Sequence, residues 1–143
     1  MKNLRTICLL NILFIWPLLS VAEGNDDLAN YRWIHGSQDC STDRNPAIET
    51  YQFDEDTYVL RQNKCVNYEA PFIYVLFGSH TVLVQDTGAT EEPEKFPLYE
   101  TVRALVEKHR PDQAQPLKIL VIHSHSHGDH KAADDQFKKR GMI

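Results

Sequence analysis

Cysteine is scarce in this chain of 143 residues: there are three, and none belongs to a C-x-x-C pair. Such spacing makes a poor thiolate metal site. Positive charge is also in deficit, with 15 Lys and Arg against 20 Asp and Glu for a net charge of −5. A basic stripe for nucleic acid is therefore missing. No apolar run reaches the about 20 residues that a membrane-spanning helix needs. A G-x-S-x-G elbow is absent, so a serine triad built on Ser124 or Ser126 has no support. Neither an internal repeat nor a low-complexity tract is evident.

What is present begins with the N-terminus. Lys2 and Arg5 precede an apolar stretch, Ile7 to Leu19, interrupted only by Asn11 and Pro17, and Ser20-Val21-Ala22 offers small residues for cleavage. This is the pattern of a secretory signal peptide over residues 1–22, with an uncleaved anchor as the alternative. The expectation is a secreted or periplasmic chain starting near Glu23, without stable membrane association. Its 20 acidic residues would face 13 basic ones, a net charge of −7, in 121 residues, enough for one domain. Cys8 leaves with the signal. Cys40 and Cys65 remain as an even pair in an oxidising compartment, where a disulfide is expected and two free thiols are the alternative.

Residues 23–49 lack periodicity and read as a polar lead-in followed by a loop-rich strap. From residue 50 onward the pattern turns to strands. Tyr51-Gln52-Phe53 and Thr57 to Arg61 flank an acidic turn, and Phe72 to Phe77 and Thr81 to Gln85 flank Gly78-Ser79-His80; both read as hairpins. The second pair is apolar without alternation, which predicts burial on both faces under covering helices. Leu98, Val102, Leu105 and Val106 make one helical stripe over residues 98–109, with Pro97 and Pro111 as punctuation. His80 reads as a solvated turn residue and His109 as a last-turn cation at the helix C-terminus. Lys118 to Ile122 is another buried strand, and residues 132–140 could begin a helix.

Immediately after that strand the sequence reads His123-Ser124-His125-Ser126-His127-Gly128-Asp129-His130, holding four of the seven histidines. His125-x-His127-x-Asp129-His130 supplies imidazoles and a carboxylate, the donors that catalytic Zn²⁺ takes. Residues two apart in extended backbone project to one side, so His125 and His127 can share an ion. Gly128 permits a sharp turn, and Asp129 and His130 can face a second ion. A histidine-rich tract can also merely scavenge divalent metal. His123 reads as a strand-end residue beside the site.

These residues resemble the metallo-β-lactamase fold superfamily. The resemblance rests on the H-x-H-x-D-H string after a buried strand, on Val82 to Gly88, which is similar to that family's strand ending in an Asp-x-Gly turn, and on the helix and strand between. It follows the order of elements over residues 50–140. It implies an α/β fold, part of an αββα sandwich with a mixed sheet and covering helices. It further implies His125 and His127 on one zinc, Asp129 and His130 on another, and Asp129 assisting the attacking water. Asp86 would be a structural carboxylate beneath the metal ligands, with a plain strand-end turn residue as the alternative.

The family's remaining ligands come from a second, β-rich half, and nothing in this sequence matches their context. The expectation is that residues 50–143 correspond to the N-terminal half of such a domain. Two functional readings follow. One is a zinc-dependent hydrolase acting on a small ester, amide or lactone; the other is an inactive fragment that binds metal weakly or requires the missing half.

Overall fold

The structure is a computed structural model that describes residues 27–109 and 117–141. The signal-like segment 1–22 and residues 111–116 lie outside the described residues. One short helix, α1 (Asp27–Asn30), stands within the stretch expected to be a polar lead-in. Five strands follow: β1 (Ile48–Gln52), β2 (Thr57–Gln62), β3 (Phe72–Phe77), β4 (Thr81–Gln85) and β5 (Lys118–Ile122). Helix α2 (Leu98–His109) joins β4 to β5, and α3 (Asp134–Lys138) ends the described chain.

The strands lie in sequence order in one sheet, antiparallel except for the parallel pair β4 and β5. A parallel pair needs a crossover, and α2 provides it. Register sets the two faces. Tyr58, Val75, Val84 and Val121 align across four strands, as do Phe77, Val82 and Ile119. These side chains are buried, together with Leu60 and Ile73, and Leu98, Val102 and Leu105 of α2 and Phe137 of α3 belong to the same core. Burying each such aliphatic side chain contributes about 1.5–3 kcal/mol.

The opposite face differs from the expectation of two-sided burial. Leu76, Leu83 and Leu120 form one row across β3, β4 and β5, and Tyr74, Gln85 and Ile122 form the next. Tyr74, Leu76, Leu120 and Ile122 are each about 40% exposed. An all-apolar strand shows no alternation in sequence even when its two faces meet different surroundings. Among the described residues, the helices cover one face only.

The strap is fastened at two points. Cys40 and Cys65 form the expected disulfide, closing 25 residues of sequence, which on loop-entropy grounds is worth about 3 kcal/mol. Next to it, buried Asn63 donates to Asp43 Oδ2 at 2.6 Å and to the Pro46 carbonyl at 3.1 Å. Trp33 packs edge-on against Tyr31, Tyr51 and Phe72. His80 is exposed, as a turn residue should be. His109 does more than terminate α2: its ring stacks on Phe77 at 3.9 Å and its Nε2 lies 3.2 Å from Asp56. Among the described residues no helix is long and apolar enough to cross a membrane.

Candidate metal centre

The candidate site is built where β4 and β5 end side by side. Asp86 follows β4 in left-handed backbone, φ 70°, a conformation that Asp tolerates better than most residues. Its N–H donates to the Ile122 carbonyl at 2.8 Å, so the pairing continues one step past the strands. Thr87 N–H then donates to the His130 carbonyl at 2.8 Å, and Ala132 N–H to the Gly88 carbonyl at 3.0 Å. Gly88 has φ 78°, and a Cβ there would meet the Phe96 ring at 2.6 Å. The Asp-Thr-Gly turn is therefore the template against which the histidine loop is laid.

That loop bends through a single 3₁₀ turn, Gly128–His130. Gly128 is not among the positive-φ residues, and a Cβ added to it would meet nothing within 4 Å. Contrary to the sequence reading, the bend comes from 3₁₀ backbone that any residue adopts, and it does not use glycine's freedom.

Asp86 is the electrostatic anchor. Its buried carboxylate accepts from Ser124 N–H at 2.7 Å, from the Ser124 hydroxyl at 2.8 Å and from His130 Nδ1 at 2.9 Å. Burial pushes its pKa up, but the hydrogen bonds from His130 and Ser124 together outweigh that and hold it below the ordinary carboxylate range. An ionised carboxylate only accepts, so His130 Nδ1 is the donor in this contact, and Nε2 is the ring nitrogen turned towards Asp129.

His130 Nε2 lies 3.2 Å from Asp129 Oδ2. Zinc bonds of about 2.0 Å at tetrahedral angles separate neighbouring donors by about 3.3 Å. The pair thus has the length of one edge of a zinc coordination shell. A ligating histidine whose second nitrogen donates to a carboxylate is also the usual arrangement around bound metal, and the Asp86 contact supplies it. The His125 ring lies 4.6 Å from the His127 ring and 4.1 Å from the His130 ring, centroid to centroid. His125, His127, Asp129 and His130 are therefore brought together, and the donor set fits zinc in part. Among the described residues no group of three or more His, Cys, Asp or Glu side chains is poised to hold one ion.

Two further residues carry the geometry and escaped the sequence reading, and His123, expected as a strand-end residue beside the site, joins them. Ser124 bridges Asp86 to the histidine rings, with its hydroxyl 3.0 Å from His125 Nδ1. Thr87 donates its hydroxyl to buried Asp134 at 2.8 Å. His123 spans the same region, with Nδ1 3.2 Å from the His130 carbonyl and Nε2 3.2 Å from Asp134. The latter contact is off hydrogen-bond alignment, and the buried Nε2 makes no hydrogen bond among the described residues. Nothing in the local string announces Asp134; its partner Thr87 is 47 residues away.

No protein-family model matches this chain, and no curated protein matches it. Solved structures do. The DIM-1 metallo-β-lactamase exposed to ceftazidime matches with a TM-score of 0.50 at 14% identity, over 70% of this chain and 42% of that one. TMB-1, in a structure concerned with substrate and inhibitor binding, matches with a TM-score of 0.46 at 18% identity, over 68% and 41%. A metallo-β-lactamase from Pontibacter korlensis gives 0.43 at 16% identity, over 66% and 41%. The DIM-1 match shows the fold: the mixed five-stranded sheet and its helices are part of the metallo-β-lactamase α/β sandwich. The chain spans about two fifths of the length of the structures it matches.

Proposed function

We propose that the loop from His123 to His130 is the metal-binding loop of a zinc-dependent hydrolase acting on a small ester, amide or lactone. The observation that carries this reading is the contact of Asp86 with His130 Nδ1 at 2.9 Å, which aims Nε2 at Asp129 Oδ2, 3.2 Å away. His125 and His127 would hold one ion, and Asp129 and His130 a second. Bound zinc would supply Lewis acidity and a water acidified to near neutral pH. Asp129 would orient that water by accepting its hydrogen bond, while Asp86 and Ser124 keep the histidine rings aimed.

Four donors divided between two ions leave each ion two, where catalytic zinc normally keeps three protein ligands. The remaining donors are proposed to come from a further segment or a partner polypeptide. That count of two donors per ion favours a second reading, weak metal binding without turnover by this chain alone. The Cys40–Cys65 bridge supports an oxidising, secreted or periplasmic location.

Zinc stoichiometry by native mass spectrometry, with hydrolysis of nitrocefin and a simple lactone in added zinc, tests the proposal. Bound zinc that is lost in His127→Ala, with low turnover, is the expected result. Robust turnover abolished by His127→Ala would instead mean a complete centre. Absence of any zinc binding would overturn the reading.

A further inference from the structure

Arg61 stands on the open side of the sheet, at the same end as the histidine loop. Its register partner on β3 is Phe72, and its guanidinium carbon lies 4.5 Å from the centre of that ring. The Nε atom is buried and has no hydrogen-bond partner among the described residues. Buried donors left without an acceptor are rare in folded proteins, and each one asks for an explanation. Glu69 lines the same cavity, yet no ion pair within 4 Å joins it to Arg61 among the described residues.

That cavity, about 450 Å³, is open and is lined by Arg61, Phe72 and Tyr74 on one side and by Ser124, Asp129 and His130 on the other. Asp86 also borders it, but its oxygens are taken by Ser124 and His130. The wall facing the proposed hydrolytic loop therefore offers one permanent cation that no carboxylate engages among the described residues, two aromatic surfaces and the exposed side chain of Glu69. A guanidinium meets a carboxylate through two parallel N–H donors, which fits that group better than any neutral ligand.

We infer that Arg61 forms an anion subsite and that the cavity takes a small carboxylate with an apolar or aromatic body. The carboxylate accepts from Arg61, the body lies against Phe72 and Tyr74, and the far end of the molecule reaches Asp129 and His130. The subsite is formed by β2 and β3 and needs no metal. Its claim to be a substrate subsite rests on the hydrolase reading above.

The test uses the ¹⁵N-labelled chain, with the Arg61 Nε–H signal identified by its loss in Arg61→Lys. Phenylacetate is titrated against its neutral counterpart phenylacetamide, in zinc-free and zinc-loaded protein. The expected result is a saturable shift of the Arg61 signal with phenylacetate in both forms and none with the amide. Arg61→Gln, checked for folding by circular dichroism, should weaken phenylacetate binding at least tenfold, with Arg61→Lys intermediate. Equal shifts with both compounds, or no saturable shift, overturn the subsite. Zinc binding is read separately from the histidine side-chain signals, so the metal reading can stand where the subsite falls, and the reverse.

Discussion

His130 Nδ1 lies 2.9 Å from Asp86 Oδ2, a contact that joins the end of β4 to the loop after β5 across 44 residues of sequence. Such a partner fixes which ring nitrogen is free and where it points. Asp86→Asn keeps a residue type that accepts the left-handed backbone while removing the charge that holds the proton on Nδ1. Loss of an outer carboxylate of this kind costs about 10–100-fold in metal affinity. A zinc competition titration should give a drop in that range with unchanged far-UV circular dichroism. Equal affinity in the two proteins would take Asp86 out of this role.

Thr87 makes a separate stitch beneath the same loop. Its hydroxyl is fully buried and donates to Asp134 Oδ1 at 2.8 Å. Thr87→Val keeps the shape and deletes the donor, leaving a buried carboxylate oxygen with poorer satisfaction. The expected loss is about 1–3 kcal/mol, softened because Lys138 also reaches Asp134 at 3.2 Å. Urea denaturation checks it, and no loss of stability would mean the bond is replaced by solvent.

Acid should loosen the strap. Hydrogen bonds from Asn63 and Asn45 hold the Asp43 carboxyl below its ordinary range. A lowered folded pKa means stability that is present above the ordinary carboxylate value, about 4, and lost as pH falls through the folded value. Asp43→Asn should therefore unfold earlier in urea than the parent chain at pH 6, with the gap closing towards pH 2. A gap independent of pH would show that the contact with Asn63 does not depend on the charge.

Much of this was legible in the sequence because it depends on local pattern. The stripe from Leu98 to Val106 gave α2 its bounds, and the strand readings at Phe72–Phe77, Thr81–Gln85 and Lys118–Ile122 match the structure. The Asp-Thr-Gly turn and the histidine string were visible as chemistry, and the structure brings them into contact. What stayed hidden depends on distant partners. Arg61 reads as an ordinary strand residue until Phe72 and the cavity are in place. Asp134 carries no signal of its own in the sequence, and its place is set by Thr87 and His123. The turn at Gly128 shows the opposite error, in which a glycine invited a conformational explanation that its backbone does not need.

The two faces of β5 offer the sharpest test of the layer arrangement. Val121 is 5% exposed in the core under the helices, whereas its neighbour Leu120 is 40% exposed in the open row with Leu76 and Leu83. Val121→Ala removes two buried methyl groups and leaves a small void, which should cost about 2 kcal/mol or more. Leu120→Thr keeps a strand-favouring branched residue and gives up only half-exposed surface, so its cost should stay below about 1 kcal/mol. The same substitution breaks a contiguous apolar patch, the kind of surface that attracts partners or drives association. It should therefore also lower the fluorescence of a bound hydrophobic dye and reduce concentration-dependent light scattering. If Leu120→Thr proves as destabilising as Val121→Ala, the open face is covered in solution.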